Sequence, residues 1–149
     1  MKVTILGSGT SQGVPIIYCD CEVCRSNDKR DKRLRTSILI ETNETTICVD
    51  AGPDFRYQML RAGVKKLDAI LITHHHKDHI GGLDDARPYI FIQKKPMTVY
   101  ASPEAQEEIK REYFFGYKNV SANYFENPVR KTDLYGIAAC IRLKEFFLE

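Results

Sequence analysis

The stretch LDAILITHHHKDHIGG (67–82) constrains this chain more than any other. An apolar, β-branched run ends in a segment holding every histidine of the molecule, His74, His75, His76 and His79, with Asp78 among them. A short apolar run of this kind reads as a strand, so the imidazoles are delivered at the end of a sheet. In extended backbone, residues i and i+2 project from the same side, which lets His74 and His76 reach one cation. Asp78 and His79 follow once the chain has turned and can point to a second. Imidazole with carboxylate suits zinc, manganese or iron(II) better than calcium. His75 sits between two ligands and is expected to face away, and Gly81-Gly82 would let the backbone turn tightly behind them. The plain alternative is a surface histidine run that traps metal incidentally.

The rest of the chain supplies an α/β frame. VTIL (3–6) reads as a strand entering the loop GSGTSQG. SILIE (37–41) and TTICVD (45–50), separated by TNE, read as a hairpin. After AGPD, the residues Phe55, Met59 and Ala62 recur at helical spacing and Gly63 marks the stop. MTVYA (97–101) is another strand. Ser102-Pro103-Glu104 opens a helix with a capping oxygen, an early proline and an acid at the positive dipole end, and Ala105, Ile109 and Tyr113 line one face. Beyond Gly116 no clear period emerges, and IAACIRLKEFFLE reads as either a strand or a short helix. Strands alternating with helices favour an α/β sandwich.

Five cysteines, at 19, 21, 24, 48 and 140, are odd in number, which argues against a disulfide framework. Cys19, Cys21 and Cys24 crowd into CDCEVC and read as a thiolate cluster for one structural zinc, with free surface thiols as the alternative. Such a site needs a fourth ligand; Cys140 or Cys48 could serve chemically, although ICVD makes Cys48 a small core residue. The basic run RSNDKRDKRLR (25–35) reads first as a solvated loop, with attraction of a phosphate substrate as the sharper alternative and Arg35 as its best candidate. With 149 residues, 43% hydrophobic, 28% charged and a formal net charge of +2, the chain suits one domain and gives nucleic acid little support as a partner. No apolar run approaches the roughly 20 residues of a spanning helix. The start MKVTILGSGTSQGVP is too short in apolar residues for a signal peptide, so a cytoplasmic protein is expected.

HxHxDH after a hydrophobic strand resembles the signature of the metallo-β-lactamase-fold hydrolases. GSGTSQGVP, CxCxxC at 19–24, RLRTS at 33–37, VDAGPDFR at 49–56 and HIGGLDDARP at 79–88 narrow the resemblance further. They look like the branch containing the cyclic phosphodiesterase that works alongside carbon–phosphorus lyase, with ribonuclease Z more distant. The resemblance covers about residues 1–115 and implies the first αβ half of an αββα sandwich, leaving 116–149 as a tail of uncertain fold. By position it makes His74 and His76 ligands of a first metal, and Asp78 and His79 ligands of a second, with Asp78 also the candidate for a catalytic role. Asp50 would orient the ligand loop from behind, a turn cap in DAGPD being the alternative. Asp84, Asp85 and Arg87 would form structural ion pairs. The implied cofactors are two zinc ions at the histidines, manganese or iron also suiting the donors, and one structural zinc at the cysteines. The implied reaction is hydrolysis of a small phosphodiester by a hydroxide bridging the cations.

Such enzymes also need a later histidine for the first metal, a bridging carboxylate and a further histidine for the second. No histidine follows His79 in this chain, so the expectation is a truncated member. Two functions stand: a metal-dependent phosphodiesterase-like hydrolase, or a non-catalytic zinc-binding half-domain that needs a partner chain. A second copy of the chain is an open partner, and a membrane is not expected.

Overall fold

The computed structural model of the chain describes residues 1–113 and 141–145. They form one six-stranded sheet whose spatial order follows the sequence: β1 (Lys2–Gly7), β2 (Ser37–Glu41), β3 (Thr46–Val49), β4 (Ala69–Leu71), β5 (Met97–Ala101) and β6 (Ile141–Glu145). β1, β2 and β3 pair antiparallel, and β3 through β6 pair parallel. The parallel crossovers need helices to carry the chain back. α2 (Phe55–Ala62) links β3 to β4; α3 (Lys77–Ile80) and α4 (Arg87–Gln93) link β4 to β5; α5 (Pro103–Glu112) follows β5. A single turn, α1 (Glu22–Arg25), lies in the loop between β1 and β2.

Register assigns the two faces of the sheet. Leu39, Cys48, Ile70 and Val99 are paired side by side across β2 to β5 and are all buried. Helix residues Phe55, Met59, Ile90, Ala105 and Ile109 join the same core, each fully buried large side chain contributing about 1.5–3 kcal/mol. The opposite face carries the row Ile5, Ile38, Val49, Leu71 and Tyr100. Ile5 remains 67% exposed and the other four are only half-buried. Among the described residues, one sheet with helices packed on one face and an apolar face opposite is the αβ half expected from the sequence.

The strands and the two main helices fall where the sequence places them, and Gly63 closes α2 in the left-handed region at φ 67. Ser102 caps α5 by accepting the Ala105 N–H, and Ala105 and Ile109 face the core. Three features differ from the reading. α4 was not anticipated, because RPYIFIQ starts directly from a 3-10 turn without a capping side chain. Gly81 and Gly82 have ordinary negative φ. Gly82 is needed instead for close approach, since a Cβ there would meet the Gly52 carbonyl oxygen at 2.1 Å. Arg35 is not a free positive charge either: its guanidinium lies 3.1 Å from Asp54 and donates to the Ser11 carbonyl. Part of the expected tail belongs to the sheet as β6, whereas residues 116–140, with Cys140, lie outside the described residues. Among the described residues no helix is long and apolar enough to cross a membrane.

Candidate metal centre

β3 and β4 are parallel neighbours, so their C-terminal ends open on the same edge of the sheet. Asp50 leaves β3 there, and Thr73 with the histidines leaves β4. Asp50 adopts φ 62, a left-handed conformation that aspartate tolerates better than most residues. Its backbone is tied on both sides. The amide donates to the Leu71 carbonyl at 2.7 Å, and the carbonyl accepts the Ser37 hydroxyl at 3.0 Å and the Cys48 thiol at 3.3 Å. Burial pushes the Cys48 thiol up to about 12, so it stays a neutral donor.

The Asp50 side chain, 4% exposed, reaches under the histidine loop. One oxygen accepts the Thr73 amide at 2.8 Å, and both lie within 3.0 Å of the Thr73 hydroxyl. Oδ2 also stands 2.8 Å from Nδ1 of His79. Two backbone bonds pin the same loops together, from Ala51 N–H to the His79 carbonyl at 2.7 Å and from Gly82 N–H to the Ala51 carbonyl at 2.8 Å. Asp50 therefore holds the loop that carries the histidines.

The four expected ligands gather as two pairs. Nε2 of His79 lies 3.1 Å from Oδ2 of Asp78, and the His74 and His76 rings meet edge-on with centroids 4.7 Å apart. The His74 and His79 rings are 3.9 Å apart, so the pairs adjoin. The His75 ring lies edge-on to the His76 ring, with centroids 5.4 Å apart. Burial, with His79 and His76 adding to it, lowers the pKa of His74 and favours the neutral imidazole that a metal needs.

This donor set fits a cation. An ionised carboxylate only accepts hydrogen bonds, so Nδ1 of His79 must carry the proton facing Asp50. Nε2 is then the nitrogen that would give its lone pair to a cation, in place of a proton shared with Asp78, whose oxygen is near enough for both to hold one cation at about 2.0–2.2 Å from each. The fit is incomplete. Among the described residues the histidine segment brings no three ligand atoms within 4.8 Å of one another, whereas a closed site needs four donors.

Cys19, Cys21 and Cys24 do meet that test: their ligand atoms all lie within 4.8 Å of one another. Cys21 precedes α1, and the Cys24 N–H aimed at its sulfur lowers its pKa, helped by the thiols of Cys19 and Cys24. Cys19 accepts the Cys21 N–H, but the neighbouring Cys24 and Cys21 thiols outweigh it and raise its pKa. A soft cation would suit this trio. Cys48, in β3 and fully buried, does not join it. Arg87 donates to the Asp84 carbonyl and lies 3.4 Å from its carboxylate, whereas Asp85 makes no ion pair among the described residues. Thr73, which links Asp50 to both histidine pairs, was missed from sequence.

A beta-lactamase superfamily domain matches residues 45–136. The chain is 50% identical over 111 residues to an octanoyltransferase of Porphyromonas gingivalis, spanning 74% of this chain but 22% of that protein. It is 30% identical over 114 residues to a ribonuclease Z of Aeropyrum pernix, spanning 73% of this chain and 32% of that one. A crystal structure of a diphosphatase from the PhnP family superposes with a TM-score of 0.80 at 36% identity, covering 99% of this chain and 50% of the other. The chain thus spans half or less of the length of these relatives.

Proposed function

This chain belongs to the beta-lactamase superfamily, and from that premise we propose that His74, His76, Asp78 and His79 are the ligands one αβ half contributes to a two-cation hydrolase of small phosphodiesters. His74 and His76 would hold one cation, Asp78 and His79 the other, with zinc, manganese or iron(II) suiting the donors. When bound, such cations supply Lewis acidity and lower the pKa of a coordinated water toward neutrality. Asp50 fixes the proton of His79 on Nδ1 and keeps Nε2 free. Asp78 serves as a ligand beside His79, the role its 3.1 Å separation from Nε2 supports. Cys19, Cys21 and Cys24 would hold a separate structural zinc.

The observation that carries this reading is the alignment Asp50–His79–Asp78, 2.8 Å on one side of the imidazole and 3.1 Å on the other. A carboxylate behind a ligating histidine is the recurrent way to orient it and raise its basicity. A ribonuclease and a diphosphatase among the relatives support a phosphorus-centred substrate. The net charge of +2 favours a small one over RNA, and the odd cysteine count suits a cytoplasmic setting.

A second reading rests on the pairing of the ligands. With two donors per cation and no histidine after His79, the chain would be a non-catalytic zinc-binding half-domain completed by a partner, another copy or a different polypeptide. Zinc titration with parallel assays on bis-p-nitrophenyl phosphate and inorganic diphosphate tests both. The expected result is a cation at the histidines, lost in His76→Ala, with slow diester hydrolysis or none by the chain alone. Slow hydrolysis that disappears in His76→Ala supports the hydrolase, binding without hydrolysis favours the half-domain, and preference for diphosphate moves the substrate to phosphoanhydrides. Absence of any cation at the histidines refutes both readings.

A further inference from the structure

Thr73 occupies a position that the ligand set alone does not explain. Its hydroxyl oxygen lies 3.0 and 2.8 Å from the two oxygens of Asp50, 3.1 Å from Nδ1 of His74 and 3.4 Å from Nδ1 of His79. A hydroxyl has one proton to donate and two lone pairs to accept with. The Asp50 carboxylate accepts the Thr73 amide and presents an oxygen to the hydroxyl at 2.8 Å, so the Thr73 proton is directed to it. The oxygen can then only accept from the third partner, and Nδ1 of His74 must be the protonated nitrogen. His79 donates its own Nδ1 proton to Asp50 at 2.8 Å. Counting protons around one carboxylate therefore fixes the tautomers of two histidines, one from each ligand pair.

We propose that Thr73 is a positioning residue that relays the charge of Asp50 to His74, so that a single buried carboxylate orients a ligand of each cation. The inference rests on the reading of His74 and His79 as ligands, and it deepens that reading. Nε2 of His74 is left as a lone pair, Nε2 of His79 is the nitrogen that faces Asp78, and each imidazole is held against rotation about χ2. Without the hydroxyl, His79 keeps its direct bond to Asp50 while His74 loses its restraint. The effect is therefore asymmetric: the His74 side of the site loosens and the His79 side does not. The Thr73 amide bond to Asp50 at 2.8 Å survives any side-chain substitution, so the loop keeps its backbone anchor in Thr73→Val.

The test uses the full chain stripped of metal and labelled with nitrogen-15 in its histidines. Long-range proton–nitrogen correlation spectra at pH about 8.5, well above the ordinary imidazole pKa, report which ring nitrogen carries the proton. The wild type and Thr73→Ser should show His74 and His79 protonated on Nδ1. Thr73→Val should move His74 toward the Nε2-protonated form and leave His79 unchanged. Zinc added stepwise and followed through the same signals, which keeps thiolate-bound zinc out of the reading, should bind about 10–100-fold more weakly in Thr73→Val and normally in Thr73→Ser. Protonation of wild-type His74 on Nε2 overturns the proposal, as does a Thr73→Val spectrum in which His74 is unmoved. The tautomer result is independent of catalysis, so a failure of the hydrolase reading leaves it standing.

Discussion

Nδ1 of His79 lies 2.8 Å from Oδ2 of Asp50, a contact made across 29 residues of sequence. Parallel pairing of β3 with β4 brings the two strand ends to one edge of the sheet, and the left-handed turn at Asp50 aims its carboxylate beneath the next loop. The αβ frame thus holds a carboxylate against the imidazole it would orient. Pre-orientation of this kind spares the ligand the entropy of ordering on binding.

Asp50→Asn should lower stability by about 1.5–3 kcal/mol, the range for hydrogen bonds to a charged group. The amide nitrogen must replace either the oxygen that faces Nδ1 of His79 or the one that accepts the Thr73 amide, setting donor against donor. Asparagine tolerates the φ of 62, so this loss comes from the carboxylate alone. Asp50→Ala should cost about 1–2 kcal/mol more, because alanine also pays the left-handed strain. Urea unfolding of the three proteins without metal gives the comparison, and an Asp50→Asn protein as stable as the wild type would contradict it.

Chelation should destabilise the chain through the cysteine cluster. A zinc present at about 100 times its dissociation constant adds about 2.7 kcal/mol to stability, and Cys21→Ser should remove most of that increment. Thermal unfolding with and without a strong chelator reads it directly: the wild type should lose several degrees, and Cys21→Ser should respond much less. Equal sensitivity of the two proteins would detach the effect from the thiolates.

The pH dependence of stability should carry a visible share from Asp68. Burial pushes its pKa up, but the Thr46 amide at 2.9 Å and the ammonium groups of Lys66 and Lys95, each at 3.0 Å, outweigh it and lower the pKa. The folded value lies below the unfolded one near 3.9, so this stabilisation is complete above the unfolded value. It is lost as the pH falls through the folded one. Asp68→Asn should therefore cost about 1 kcal/mol at pH 7 and progressively less as the pH drops below about 4. A cost independent of pH would assign the effect to packing.

Much of this was legible in the sequence, for reasons that differ by residue. The hairpin and α2 announce themselves by period and by the stop at Gly63, and LDAILIT could only be a strand feeding the histidines. Asp50 was reachable through family resemblance, because nothing local distinguishes it from a turn cap. α4 lacked a capping side chain, and its apolar residues follow no clean helical stripe. Thr73 was invisible because its role depends on a carboxylate 23 residues away. Gly82 was noticed for the wrong reason: adjacent glycines suggest a turn, whereas the fold uses this one to let two backbones touch.

That close approach yields the sharpest steric test. At Gly52 an added Cβ would stand 1.9 Å from the Asp78 carbonyl oxygen and 2.8 Å from its carbon, both backbone atoms that cannot rotate away. Gly52→Ala must therefore push α3 off the 50–52 loop, straining the bond from Ala51 N–H to the His79 carbonyl and the contact between Asp50 and His79. Gly63 is the control, since its φ of 67 disfavours alanine while nothing lies within 4 Å of the added atom. Gly63→Ala should cost about 1–2 kcal/mol of stability, the left-handed penalty alone, with cation binding at the histidines unchanged. Gly52→Ala should cost about 3 kcal/mol or more, the range of a buried clash with lost hydrogen bonds. It should also weaken zinc at the histidines by at least tenfold. Urea unfolding and zinc titration of both variants separate backbone conformation from loop contact; a Gly52→Ala protein that binds zinc as the wild type does would show that α3 can move without disturbing the ligands.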